Sequence, residues 1–593
     1  MNRTIQHRGP DDEGYYFDDE SFVHLAMRRL SIIDLTSGKQ PIFNEDRSIV
    51  LVFNGEIYNY RILRKSLIEK GHRFKTNSDT ETIIHGYEEF GEAVVEHLHG
   101  MFAFALWDIN TKTLFCARDR LGIKPFYYCR EGGRFFFASE QKSIIRVLDR
   151  QLSVNLRALM QHVMIGFCTT QSSLLETIEQ LPPGCVLAYN GGCLTVRRYW
   201  ELSLAPSAPR YGEDEAVELL SEHINRSVEE HLVSDVPVAL TLSGGLDSSI
   251  LALAMGKAMH GHGEKIHAYT IGYGNKNDEL PFARLLAKRL SDVPVSFHER
   301  IVNPEEAIQD IPQIIWHLEE PLSNITAITA YQWAKFLSEK HKVTLVGEGA
   351  DEVFGGYLYY RLFSGALRMI PRKMQVPLYR FMFLQPSLSL ISDLFGGNKK
   401  IIDELRHVYH NDLFKIINKE TEPFRGILRF DMELELSNNQ LLRIDKLTMA
   451  HSLEARVPYL DHRLVELAWS WPEKWKIKAT EQKYILKKAF QNKLPAEIIK
   501  RPKTGKGGSQ PIFPIMFSSG LEKKIITAII AREQVLKEYF NMSVIQNLIQ
   551  KKSGIYPISG SRIRDKLLYF LYLFLIWHDL FIENRGREYS LFY

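Results

Sequence analysis

Apolar positions in the first 200 residues come as short runs closed by turn formers: SIVLVFNG, MFAFALWD, TLFCARD, RFFFASE and CVLAYNGG. Apolar or aromatic runs of about 5 to 6 residues ending in Gly, Asn, Asp or Glu predict β-strands. This part therefore reads as a mostly β layer with a few helices, one over Thr80 to Glu96. Between Trp200 and Glu213, ELSLAPSAPRYGE has the proline and small-residue content of a linker. Beyond it the pattern changes. VPVALTL (Val236 to Leu242) leads into a helix from Asp247 to about His260, then KIHAYTIGY, a helix through Glu279 to Leu290, two further helices, and KVTLVGEG. Short buried strands alternating with helices predict a parallel sheet wrapped by helices. From about Arg361 to Asn439 the chain reads as helical but irregular. The apolar run LLYFLYLFLIW (Leu567 to Trp577) falls short of the roughly 18 residues that span a bilayer and ends in His578 and Asp579, so it predicts a buried helix. The expected division is residues 1–200, a linker over 201–212, and residues 213–593.

Composition narrows the classes. A chain of 593 residues exceeds one compact core, and 45% hydrophobic with 24% charged residues is ordinary for globular proteins. Lys plus Arg (74) nearly cancels Asp plus Glu (71), so no net field favours nucleic acid or an acidic membrane. The five cysteines, Cys116, Cys129, Cys168, Cys185 and Cys193, form no C-x-x-C pair and read as reduced thiols of a cytoplasmic protein. The opening MNRTIQHRGPDDEG lacks the apolar core of a secretory signal.

The sharpest chemical feature is LSGGLDSS, Leu242 to Ser249, where a strand turns into a helix. Gly244 and Gly245 let the backbone approach a ligand, and the first amides of the helix point outward with the positive end of its dipole. A phosphate suits that place, although the lysine of a Walker A loop is missing. Asp247 sets a carboxylate beside the anion site, as a bridging Mg²⁺ would require. A second acidic, glycine-rich loop, GEGADEVFGGY (Gly347 to Tyr357), follows another strand. In doubly wound sheets ligands collect outside the carboxyl ends of strands, so two such loops can face one pocket. Glu348, Asp351 and Glu352 then offer carboxylates for metal binding or proton transfer. Asp403, His407 and His410, at i, i+4 and i+7, are a weaker metal candidate whose bland reading is a solvated helix face.

At this point the chain resembles the class B, glutamine-dependent asparagine synthetases. In the first part the likeness rests on HRGPDDEG (His7 to Gly14), RRLSIIDL (Arg28 to Leu35), FNGEIYNY (Phe53 to Tyr60), HGMFAFALWD (His99 to Asp108), ARDRLGIKPFYY (Ala117 to Tyr128) and FASE (Phe137 to Glu140). In the second it rests on LSGGLDSS, GEGADEVFGGY, SLEARVPYLD (Ser452 to Asp461) and RPKTG (Arg501 to Gly505). The resemblance implies an αββα glutaminase domain of the N-terminal-nucleophile type joined to a doubly wound ATP pyrophosphatase domain with extra helices. ATP, Mg²⁺, aspartate and either glutamine or ammonia are the implied substrates and cofactor, and a homodimer is the candidate assembly. Leu242, Ser243, Gly244, Gly245, Asp247, Ser248, Ile271, Val346 and Gly347 would bind ATP, with Ile271 at the adenine. Asp247 and Asp351 would hold Mg²⁺. Glu348 matches the general base toward ammonia, and Lys503 a lysine that contacts the phosphates. For glutamine, Arg29 would pair with the α-carboxylate beside Leu30 and Ile32. Asn54 and Gly55 would supply the oxyanion hole, and Glu56 and Asp79 would accept the α-amino group.

The sequence departs from that pattern in places. Family members begin Met-Cys-Gly-Ile and use the exposed cysteine as nucleophile, whereas residue 2 is Asn2 and the first cysteine is Cys116. The expectation is a chain that does not hydrolyse glutamine as written, through either a start set at an internal methionine or a true ammonia-dependent variant. Val346 stands where the family has a serine, and KTGKGGSQP replaces the usual K-T-G-F run. Relatives on the scaffold form other amides or lactams, the β-lactam synthetases having a tyrosine in place of Glu348. Another carboxylate acceptor, or a non-catalytic regulatory member, remain the alternatives.

Overall fold

The computed structural model describes residues 1–169, 171–204, 209–261, 263–274, 278–290, 293–365, 371, 374, 377–378, 385–479, 481–501, 520–550 and 563–585. Its strands are β1 (Asp12–Asp18), β2 (Val23–Arg29), β3 (Ile42–Phe43), β4 (Ile49–Ile57), β5 (Gly100–Asp108), β6 (Thr113–Arg118), β7 (Tyr127–Glu131), β8 (Arg134–Ala138), β9 (Glu179–Gln180), β10 (Cys185–Asn190) and β11 (Cys193–Arg198) in the first part. The second part adds β12 (Val238–Thr241), β13 (Ile266–Gly272), β14 (Val295–Ile301), β15 (Val343–Leu345) and β16 (Glu454–Arg456) to a single sheet.

The first part is layered because its central strands are apolar on both faces. Six strands pair in the order β11-β10-β6-β5-β4-β3. Alternate side chains of a strand point to opposite faces. Val50, Val52, Ala103, Ala105 and Trp107 therefore pack toward Leu25, Phe126 and Tyr128 of a second β layer. Leu51, Phe53, Phe102, Phe104 and Leu106 pack with Ile83 and Ile84 of the helix Glu81–Phe90. The second layer is the β1–β2 hairpin and the three strands β8-β7-β9. On its far side Tyr127 and Cys129 meet Ile144, Ile145, Ala158 and Leu159 of the helices Gln141–Ile145 and Leu156–Ile165. The result is the expected αββα sandwich.

In the second part five parallel strands pair in the order β14-β13-β12-β15-β16. From β12 the chain winds outward to β13 and β14, then returns to the other side of β12 for β15 and β16, so the sheet is doubly wound. The sequence predicts β12, β13 and β15 but neither β14, whose run VSFHERI is half polar, nor β16, three residues inside SLEARVPYLD whose side chains are polar or small. The irregular stretch is explained by two π-helical segments, Val408–Phe414 and Asp431–Leu441. The late apolar run forms the buried helix Ile563–His578, and among the described residues no helix is long and apolar enough to cross a membrane.

Phe104 is 1% exposed between the six-stranded sheet and its helices. Phe104→Ala is expected to cost about 3 to 5 kcal/mol, read as a lower denaturant midpoint; an unchanged midpoint would contradict this packing.

Candidate functional site

β12 and β15 are neighbours in register, Leu240 opposite Leu345, so the loops that leave them emerge side by side. The first enters the helix Leu246–Met259, which starts at Gly245 without a side-chain cap. Its first amides stay available to an anion. Gly244 has φ +68°, and a Cβ there would meet the Ala283 nitrogen at 2.4 Å, so the turn is pressed against the next crossover helix. In the second loop a Cβ on Gly347 would lie 3.2 Å from Asp247 Cβ, a measure of how closely the loops approach.

Both loops open on a cavity of about 780 Å³. Leu242, Ser243, Gly245, Asp247, Ser248, Ile271, Val346, Gly347, Glu348 and Asp351 all line it. Gly244 does not, but its carbonyl accepts from Arg501 Nη1 at 3.2 Å, a residue that does line the cavity. Glu352 is buried and accepts from Tyr357 Oη and Gln440 Nε2, each at 2.6 Å, which ties it to the wall. Lys503 lies outside the described residues.

Two cations in this cavity carry no signal in the sequence. Lys483 Nζ lies 2.5 Å from Asp247 Oδ1 and 2.7 Å from Asp351 Oδ1. Its backbone has φ +52°, an uncommon conformation for a lysine that only the surrounding fold can hold. A Cβ on Gly356 would fall 1.8 Å from Asp351 Oδ1 and 2.2 Å from Lys483 Cε, so the second glycine of FGGY leaves room for this pair. Two carboxylates converging on one cation are also the donor chemistry that Mg²⁺ takes, and the residues present fit that ion. The other cation, Arg443, donates from Nη2 to Glu348 Oε1 at 3.2 Å.

A second cavity, about 70 Å³, lies in the first part. Arg29, Leu30, Ile32, Asn54, Gly55, Glu56 and Asp79 all line it. Arg29 is held through Nη2 by the carbonyls of Ile33 and Asp34 at 2.9 and 2.8 Å. Asn54 Nδ2 is buried with no hydrogen-bond partner among the described residues, as suits a donor reserved for a ligand. Burial raises the carboxyl of Asp79 to about 6, against the hydrogen bonds it accepts from Ile57, Ser78 and Thr80. Burial also pushes Glu56 well above the carboxylate range, although Arg456 lies 3.1 Å away. Four cysteines are buried and Cys193 is exposed; none lines this cavity. Met449 and Glu454 of the second part complete its wall.

The set Asp403, His407 and His410 is not brought together. The π-helical segment from Val408 shifts the periodicity after His407, Asp403 pairs with Arg406, and His407 meets Asn411. Among the described residues the groups that could hold an ion are Glu45 with His72 and His85, and His162 with Cys168 and Glu320.

Comparison with known proteins gives two families: Asparagine synthase over residues 219–579 and Glutamine amidotransferase domain over residues 1–200. The chain is 33% identical to the glutamine-hydrolyzing asparagine synthetase 1 of Bacillus subtilis (strain 168), over 99% of this chain and 94% of that protein. It is 30% identical to a putative glutamine-hydrolyzing asparagine synthetase of Mycobacterium tuberculosis, over 98% and 93%. It is also 30% identical to the glutamine-hydrolyzing asparagine synthetase 2 of Oryza sativa, over 99% and 83%.

A ligand whose ammonium group rests on Asp79 needs that carboxylate ionised. Asp79 is ionised above about 6 and protonated below, so affinity is lost on acidification. The dissociation constant for glutamine, followed by calorimetry, is expected to rise about tenfold per pH unit below that point. In Asp79→Asn the affinity should be weak and the step near 6 absent, with only the titration of Glu56 left beside the ligand; the same step in the variant would show that another group is responsible.

Proposed function

The chain belongs to the asparagine synthase family, and on that premise we propose that it converts L-aspartate to L-asparagine with ATP, releasing AMP and pyrophosphate. A carboxylate is a poor electrophile until one of its oxygens becomes a leaving group. The β-carboxylate oxygen attacks the α-phosphorus, the bond from that phosphorus to the bridging oxygen breaks, and pyrophosphate departs. Ammonia then attacks the acyl carbon and passes a proton to Glu348, and AMP leaves with the carboxyl oxygen.

The observation that carries this reading is the meeting of the two loops on one cavity, with the carboxylates of Asp247 and Asp351, the ammonium of Lys483 and the Glu348–Arg443 pair around it. The open start of the helix Leu246–Met259 receives the phosphates. Asp247 and Asp351 would hold Mg²⁺, whose chemistry when bound would be to offset charge on the departing pyrophosphate. Lys483 adds a positive charge at the same place and keeps the two carboxylates together. Ile271, at the end of β13, lines the adenine side. Glu348, paired with Arg443 at 3.2 Å, is the base that deprotonates the incoming nitrogen.

Nitrogen enters as ammonia from solution, because no cysteine lines the second cavity to attack the amide of glutamine. There the α-carboxylate of glutamine lies on Arg29, its α-ammonium between Glu56 and Asp79, and the amide oxygen toward Asn54 and Gly55. A cytoplasmic location and assembly as a homodimer accompany this reading.

The test is product analysis with ATP, Mg²⁺, aspartate and either ammonia or glutamine. With ammonia, asparagine, AMP and pyrophosphate are expected in equal amounts, and with glutamine alone no asparagine. Asp247→Ala should abolish aspartate-dependent release of pyrophosphate, whereas Glu348→Ala should leave part of that release and stop amide formation. Full activity in Asp247→Ala, or no amide from aspartate with either nitrogen source, would overturn the assignment.

A further inference from the structure

Arg443 is buried, 4% exposed, in the helix Leu442–Met449, and it lines the large cavity. One of its three nitrogens is committed, Nη2 to Glu348. Nε and Nη1 are buried with no hydrogen-bond partner among the described residues. A guanidinium does not shed its charge in a protein, and leaving its donors both buried and unpaired costs more than an ordinary lost hydrogen bond. Such a group is balanced when an anion enters the cavity.

The position of Arg443 indicates which anion. The phosphate end of the cavity already has the amides of the helix Leu246–Met259 and the ammonium of Lys483. Arg443 stands instead on Glu348, the side chain that takes the proton from the nucleophile. The group beside it is therefore the acceptor and not the nucleotide. The acceptor brings two carboxylates. One is consumed by adenylation and loses its carboxylate charge as the acyl half of a mixed anhydride, while the other stays anionic through both steps.

We propose that Arg443 binds the α-carboxylate of the acceptor and thereby selects an amino dicarboxylic acid over a simple carboxylic acid. This rests on reading the cavity as the site of aspartate amidation. When the α-carboxylate arrives it shares the charge of Arg443 and loosens the hold on Glu348, so the base is released only with an acceptor in place.

β-Alanine is aspartate without its α-carboxylate, which makes it the matching probe. Pyrophosphate release is measured for aspartate and for β-alanine on the wild type, Arg443→Gln and Arg443→Lys. The two acceptors are compared on the same preparation, so the ratio of kcat/KM does not depend on how much protein is folded. The wild type should prefer aspartate by on the order of 10- to 100-fold, the worth of a hydrogen bond to a charged group. In Arg443→Gln the ratio should fall to within a few-fold through loss on aspartate alone, with the KM for ATP unchanged, and Arg443→Lys should keep part of the preference. An equal loss on both acceptors, which a role through Glu348 alone would give, overturns the proposal. So does a raised KM for ATP at an unchanged ratio. Absence of aspartate-dependent pyrophosphate release in the wild type is a different failure, since it removes the reading of the cavity itself.

Discussion

The reversal of winding direction between β12 and β15 is the constraint on which the rest of the site depends. Adjacent parallel strands whose crossovers run to opposite sides leave a crevice at their carboxyl ends with no helix in it. The register of Leu240 with Leu345 brings the two loops to one level. Asp247 and Asp351 then face each other from different loops, and two carboxylates that close repel unless a cation lies between them. Lys483 supplies it from a third segment, far along the chain. The sheet order, the glycines that allow close approach and the lysine are thus parts of one arrangement. Changing any of them moves the others.

A second set of charges joins the two parts of the chain. Arg8 pairs with Asp445 at 2.8 Å and with Glu140 at 3.1 Å, Lys446 with Glu319 at 2.5 Å, and Arg456 with Glu454 at 2.9 Å and Glu56 at 3.1 Å. All of these residues are buried. Buried ion pairs are a poor source of net stability, because desolvation offsets most of the attraction, but removing one partner strands the other. Their effect here is to fix orientation. The helix Leu442–Met449 has Arg443 and Ile444 on the large cavity and Met449 on the small one. At about 1.5 Å per residue, one short helix connects the two walls, and its own Asp445 and Lys446 clamp it to both parts.

Much of this was legible in the sequence, for a physical reason. Strands buried on both faces must be continuous apolar runs, so SIVLVFNG and MFAFALWD announce the inner strands of a sandwich. Glycines beside Ser and Asp at a strand end announce a turn that a ligand approaches. What could not be read was contact between distant segments. Lys483 sits in TEQKYILKKAF among other lysines, and only the fold brings it to Asp247. Arg443 looks like one charge of an ordinary helix until its burial against Glu348 is seen. The i, i+4, i+7 spacing of Asp403, His407 and His410 proved to be the solvated helix face that was its bland reading, all three being exposed, and the π-helical segment from Val408 adds a change of helical period that side-chain pattern alone does not reveal. β16 escaped because Glu454 and Arg456 are polar and buried by pairing instead of by apolarity.

The central claim is that a carboxylate oxygen of the acceptor is transferred to the α-phosphorus at this crevice. Aspartate labelled with ¹⁸O in its β-carboxylate, turned over with ATP, Mg²⁺ and ammonia, tests it directly by mass spectrometry of the products. One labelled oxygen should appear in AMP and none in pyrophosphate. Label in pyrophosphate or inorganic phosphate, with AMP unlabelled, would place the attack on another phosphorus and contradict the account.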